Sequence, residues 1–118
     1  MNREVKAEWV EALRSGQYRQ GANYLRKNNG QEDEFCCLGV LCEIAVEHGA
    51  ISEPLRKASR IYSYALGEMQ VLPQSVVEWA GLPDDNPTIG RSGVRLTGLN
   101  DSGLYTFAEI AALIEEDL

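Results

Sequence analysis

Phe35-Cys36-Cys37-Leu38-Gly39-Val40-Leu41-Cys42-Glu43-Ile44-Ala45-Val46-Glu47 is the most apolar stretch of the chain, and only Glu43 and Glu47 in it carry charge. A helix that is apolar on nearly every face has to be surrounded by other elements. The stretch therefore predicts a central core helix over about 36–48, closed by His48-Gly49. Gly39 lies inside it at a cost in helix propensity, which points to close approach by another backbone. His48 stands where a cation complements the dipole at the end of the helix. All three cysteines of the chain fall within Cys36–Cys42. A vicinal pair is badly placed for an ordinary disulfide, and zinc needs about four ligands in CxxC-like spacing. With one histidine and no second cysteine cluster, buried structural thiols are expected, and neither a metal nor a cofactor is predicted.

On the N-terminal side, Glu4 to Ser15 carries Val5, Trp9, Ala12 and Leu13 at helical spacing, which predicts a helix over about 4–15. Asn2 serves as its N-cap, Gly16 as its stop, and Trp9 as its core anchor. The helical period vanishes from Gln17 to Glu34, where Asn28-Asn29-Gly30 is strong turn chemistry. A hairpin follows, returning through Asp33 to Phe35. On the C-terminal side, Ser52 to Arg60 reads as a polar, basic loop or helix start at Pro54, and Tyr62 and Tyr64 alternate as in a strand before a turn at Gly67-Glu68. A short helix near 73–80 is predicted, with Ser75-Val76-Val77-Glu78 as its capping box, Gly81 closing it, and Val76 and Trp79 facing inward.

Pro83 to Gly93 is a loop. Thr88-Ile89 and Val94-Arg95-Leu96-Thr97 read as two short strands, and Leu99-Asn100-Asp101-Ser102-Gly103 as another turn. Thr106-Phe107-Ala108-Glu109 is a capping box opening the last helix, about 106–117, whose buried stripe is Phe107, Ile110, Leu113 and Ile114. The fold class is α+β, a single globular domain over 1–118. Three main helices and one short one pack with a hairpin and short irregular antiparallel strands.

Size permits such a core. A chain of 13.1 kDa exposes roughly 19,000 Å² unfolded and roughly 6,400 Å² folded. The longest uninterrupted apolar run, Phe35 to Cys42, is far short of a bilayer span. The charged opening Met1-Asn2-Arg3-Glu4 has no signal-peptide centre, so a cytoplasmic chain with no membrane partner is expected. Charge divides unevenly. Residues 61–118 hold only Arg91 and Arg95 against nine acidic groups, so the whole net charge of −7 lies there. This balance argues against direct nucleic-acid binding and, beside the plain reading of a solvated acidic face, permits attraction to a basic protein surface. Asp84, Asp85, Glu115, Glu116 and Asp117 are the candidate partner-binding residues, the last three placed against the dipole of the final helix.

No catalytic residues are assigned, and the chain is not expected to be an enzyme. A serine or cysteine nucleophile needs a base, and only one histidine, His48, is available; GxSxG is missing, and Gly90-Arg91-Ser92-Gly93 has neither GKS/T nor a following helix. Asp84-Asp85-Asn86-Pro87 lacks the spacing of a calcium loop. A second candidate set is cationic and aromatic. Arg19, Tyr24, Arg26 and Lys27 lie on the predicted hairpin, and Arg60, Tyr62 and Tyr64 follow the core helix. Arginine with tyrosine stacks on a base and pairs with a phosphate. If the two stretches converge, they frame a pocket for a small nucleotide.

The cysteine-rich stretch Phe35–Cys42, followed by Trp79-Ala80-Gly81-Leu82, Leu99-Asn100-Asp101-Ser102-Gly103 and Thr106-Phe107-Ala108-Glu109-Ile110, with Trp9-Val10-Glu11-Ala12-Leu13 in front, resembles a family of small, mostly uncharacterised proteins of tailed bacteriophages and prophages. The resemblance implies a host bacterial cytoplasm during infection, where small accessory proteins modulate or inhibit host systems. It brings no catalytic residues with it. The leading expectation is thus a phage accessory protein that binds a host protein, a defence component among them, without catalysis. The alternative is a protein that sequesters a nucleotide signal, and an uncharacterised enzyme comes third. A homodimer through an exposed strand or helix face is compatible with either binding role.

Overall fold

Asn2 opens the first helix, α1 (Arg3–Arg14), its side-chain oxygen accepting from the Glu4 and Val5 amides at 3.0 Å. The computed structural model describes residues 1–56, 59–91 and 93–118. Lys57 of the expected basic stretch and Ser92 of the expected loop lie outside the described residues. The buried face of α1 is Val5, Trp9, Val10 and Leu13. Val10 replaces the expected Ala12 because α1 packs on two neighbours, α2 and the final helix, which widens the covered face.

The apolar stretch forms α2 (Cys37–Glu47), with Cys37–Cys42, Ile44 and Ala45 all buried. Cys36 is its N-cap, its sulfur accepting from the Gly39 amide. Trp9 is fully buried and its indole donates to the Cys37 carbonyl at 2.9 Å, locking α1 across α2. The expected close approach at Gly39 comes from Leu25, whose carbonyl lies where a β-carbon would stand.

Strands β1 (Arg26–Asn28) and β2 (Asp33–Phe35) form the expected hairpin, Lys27 opposite Glu34. Its turn is held by Asn28 and Asn29 side chains accepting from the Gly30, Gln31 and Glu32 amides. Leu55–Arg56, expected as loop or helix, is strand β3, paired antiparallel with β4 (Tyr62–Ser63). Pro54 disfavours helix at the residue before it. A bridge from Lys27 to Ile61 joins this pair to the hairpin. Ala65–Gly67 is a tight turn whose central residue, Leu66, is in the left-handed conformation.

Helix α3 (Gln74–Ala80) follows Pro73 and ends at Gly81 in the left-handed conformation. The expected capping box at Ser75 does not form. Gln74 is already helical, so Ser75 lies inside the first turn and cannot cap it. Val76 is buried, and Trp79 is half-buried against His48. Strands β5 (Thr88–Ile89) and β6 (Val94–Arg95) pair as expected. From Leu96 the chain departs from the expected strand and turn to make α4 (Leu96–Asp101). Its first amides are taken by groups distant in sequence, Leu96 by the Pro87 carbonyl and Thr97 by the Asn86 side chain. Helix α5 (Phe107–Asp117) has the predicted capping box between Thr106 and Glu109. It buries Phe107, Ile110, Ala111 and Ile114 along α1, with Leu113 only half-buried.

One continuous core joins all five helices. The fold exposes 6420 Å², in line with the size-based expectation of roughly 6,400 Å². It is α+β: short antiparallel strand pairs ornament a helical core. Among the described residues no helix is long and apolar enough to cross a membrane.

Candidate functional site

The two cationic and aromatic stretches do meet, at Arg26, but around carboxylates of the chain itself. Arg26 donates to Asp33 through Nε at 2.9 Å and Nη2 at 2.6 Å, and to Glu43 through Nη1 at 3.2 Å. Its guanidinium lies 4.3 Å from the Tyr62 ring centroid and 5.1 Å from that of Phe35. Tyr64, nearly fully buried, donates to the same Glu43 oxygen at 2.6 Å. Burial of Arg26 pulls its pKa down, but the Asp33 hydrogen bonds and the Glu43 charge outweigh that and keep it firmly protonated. Burial, and then the charge of Glu43, push the Tyr64 phenol well up. The Arg26 guanidinium bonds Asp33 and Glu43 through all three of its nitrogens, so a phosphate at this face would compete with those two carboxylates. Arg19 pairs with Glu32 and Glu34, Lys27 donates to the Ala22 carbonyl at 3.0 Å, Tyr24 is half-buried, and exposed Arg60 folds against Gly30. Of the seven candidates only Arg26, Tyr62 and Tyr64 share this network, and nothing in the sequence signalled that two acids would fill the space between them.

The acidic candidates do not form one surface by themselves. Glu115 pairs with Arg14 at 3.3 Å across α1 and α5. Asp84 accepts from the Asn86 amide and approaches Arg95 at 3.6 Å. Asp85 is exposed. Glu116 and Asp117 are exposed and share a shallow cleft with Arg91.

The three thiols are buried. Burial pushes Cys36 up to about 12 and Cys37 and Cys42 well above the ordinary thiol range. His48 bonds Glu8 at 2.8 Å, tying α2 to α1. Among the described residues no group of three or more potential ligands is placed to hold a metal.

Two surfaces went unread in the sequence. At the first, Asn100 of α4 is 2% exposed and makes four hydrogen bonds. Its oxygen accepts from the Cys37 amide and from Gln20 Nε2, both at 3.1 Å, and its nitrogen donates to the Gly21 carbonyl at 2.8 Å and Asp101 Oδ1 at 3.0 Å. That is the full capacity of a primary amide. It pins the start of α2, the 20–22 segment and α4 together, and beside it opens a pocket of about 320 Å³ lined by Gln20, Asn100, Asp101, Leu104 and Tyr105 among others. At the second surface, the Ala65–Gly67 turn projects Leu66 almost wholly into solvent, 96% exposed, near Leu55, which is 68% exposed, and both line one groove. The pocket was hidden because its walls lie some eighty positions apart. The Leu66 turn had a signal, Leu-Gly where a tight hairpin favours Asn-Gly, that was read only as a turn.

A small α+β domain whose ionisable core groups serve the fold, and whose open groups cluster at one polar pocket and one apolar turn, is the class these features define. The chain belongs to the family described as Domain of unknown function (DUF8296), which it matches over residues 1–118. No curated protein and no solved structure matches it.

Proposed function

We propose that this protein acts by non-catalytic binding of another protein, as a phage accessory chain that inhibits or modulates a host (defence) protein. Leu66 carries the binding part of this reading. Its φ is +60° and that of Gly67 is +80°, with the Glu68 amide donating to the Ala65 carbonyl across the turn. Paired positive φ values belong to the hairpin turn that Asn-Gly fills best, and the left-handed region costs a leucine about 1 kcal/mol or more. Nothing in the fold covers the side chain in return. Sites where a chain breaks a local rule without a structural gain are where function is sought, and an exposed leucine beside an apolar groove suits a partner's surface. The phage setting rests on the resemblance of the Phe35–Cys42 and Leu99–Gly103 motifs. The nucleotide-sequestering alternative is left without its central cation, since Arg26 is engaged by Asp33 and Glu43.

Affinity capture from a host bacterial lysate, with wild type and Leu66→Asn side by side, tests the proposal. Wild type should recover a stoichiometric protein partner. The variant should be more stable by about 0.5–1 kcal/mol, because asparagine tolerates the left-handed turn. It should nevertheless capture about tenfold less, as removal of an anchoring side chain does. Absence of a stoichiometric partner, or equal capture by the variant, would overturn the proposal.

A further inference from the structure

The pocket beside Asn100 has a chemistry of its own. Asp101 is the one charged residue lining it, and that carboxylate is half spent. Oδ1 accepts from the Asn23 amide at 3.1 Å and from Asn100 Nδ2 at 3.0 Å, while no described group donates to Oδ2. Gln20 has given its Nε2 to Asn100 and, at 3.0 Å, to the Tyr105 carbonyl, so what it keeps is an acceptor oxygen. Asn100 is saturated and adds no free donor. Lys27 donates to the carbonyl of the pocket-lining Ala22 and is not itself part of the lining. The large side chains of the remaining wall are Leu104, 79% exposed, and Tyr105, 37% exposed, alongside the smaller Gly21, Ala22, Gly103 and Thr106. The pocket thus combines an anionic oxygen, a neutral acceptor, an aliphatic wall and an aromatic ring.

We infer that this pocket receives an arginine side chain presented by a partner protein. The guanidinium donates to Asp101 Oδ2 and Gln20 Oε1, and its alkyl stem lies along Leu104 with Tyr105 beside the cation. The juxtaposition that carries this is Asp101, Gln20, Leu104 and Tyr105 around one opening, with the neighbouring donors Gln20 Nε2, Asn100 Nδ2 and Lys27 Nζ already engaged. A guanidinium suits the site better than an ammonium, because it is planar, stacks on aromatic rings and sheds water more easily. The volume of about 320 Å³ is ample for one such side chain. The net charge of −7 draws a basic segment toward the molecule before contact. This inference rests on the protein-binding role proposed above and names the chemistry of the partner at a site separate from Leu66.

The test is an NMR titration of the full chain, 15N-labelled, with acetyl-Gly-Arg-Gly-amide, with the same peptide carrying neutral citrulline, and with agmatine. The arginine peptide should give saturable shifts confined to Gln20, Asp101, Leu104, Tyr105 and their neighbours. Citrulline should bind about tenfold more weakly, as should the arginine peptide on Asp101→Asn, which removes the charge but keeps an oxygen for the Asn23 amide. Leu104→Ser, a change at an exposed position, should weaken binding without altering the rest of the spectrum. Shifts spread evenly over all the exposed carboxylates, equal binding of citrulline, or indifference to Asp101→Asn would each overturn the site. Agmatine binding more tightly than the peptide would overturn the protein side chain as its source. Because the titration does not involve Leu66, it stands or falls separately from the lysate capture.

Discussion

At Gly39, helix propensity and packing give opposite answers, and their magnitudes decide between them. In an open helix, glycine to alanine gains about 1 kcal/mol. Here the new β-carbon would overlap the Leu25 carbonyl, lying 2.6 Å from its carbon, and that carbonyl is fixed by accepting the Cys36 amide at 3.2 Å. Neither partner is a flexible side chain, so helix and loop must separate. Overpacking in a core costs about 1–3 kcal/mol, and more when backbone has to move. Gly39→Ala should therefore destabilise the protein by about 3 kcal/mol or more, seen as a lower urea midpoint. An unchanged or higher midpoint would show that α2 can slide away from Leu25 freely. Leu66 is the opposite case, a residue whose local strain no contact within the fold repays.

Between elements, the Arg26 network joins the β1–β2 hairpin to α2 and β4, and it should give stability a pH dependence at both ends of the scale. Burial would raise the Asp33 pKa, but hydrogen bonds from Asn28 and Arg26, with the guanidinium charge, bring it below its ordinary 3.8. The folded chain holds that proton less tightly than the unfolded one. The stabilisation is therefore present above about pH 4 and is lost as pH falls through the folded value. Tyr64 has the reverse sign. Its raised pKa gives a contribution present below the ordinary 10.0 and lost as pH rises past it. Thermal melts taken down to about pH 2 should show a fall that Asp33→Asn flattens while lowering stability at neutral pH. A variant that melts in parallel with wild type at every pH would place the acid sensitivity elsewhere. Elements were legible in the sequence where their signals were local. The α5 capping box lies within Thr106–Glu109 and the hairpin turn within Asn28–Gly30, so both could be read. Six-residue α4 is too short to show a period, and its first amides depend on Pro87 and Asn86, which nothing near Leu96 announces. The Arg26 cluster was half legible: its cations and rings stood out, but Asp33 and Glu43 looked like ordinary solvated acids.

Across the whole molecule, α2 is enclosed by α1, α3 and α4 together with β2, and its cysteines report on that enclosure. Cys36 is 2% exposed and Cys37 and Cys42 are fully buried. With its pKa near 12, Cys36 carries almost no thiolate at neutral pH, and the thiolate is the species that reacts. A thiol reagent must therefore wait for the core to open. Cys36 and Cys37 sit at the start of α2, where Asn100 and Trp9 clasp Cys37, and Cys42 lies more than one turn further on. If the core opens as one cooperative unit, all three thiols should label at a single rate, and that rate should fall as global stability rises. Leu66→Asn should slow labelling and Gly39→Ala should speed it, each in proportion to its effect on the urea midpoint. Mass spectrometry of the labelled chain would then show unmodified and triply modified protein with little between. Prompt single modification of the native protein would instead reveal local opening at the first turn of α2. Asn100 would then be clasping a mobile helix end, and the pocket beside it would lack the rigidity that recognition of an arginine side chain demands.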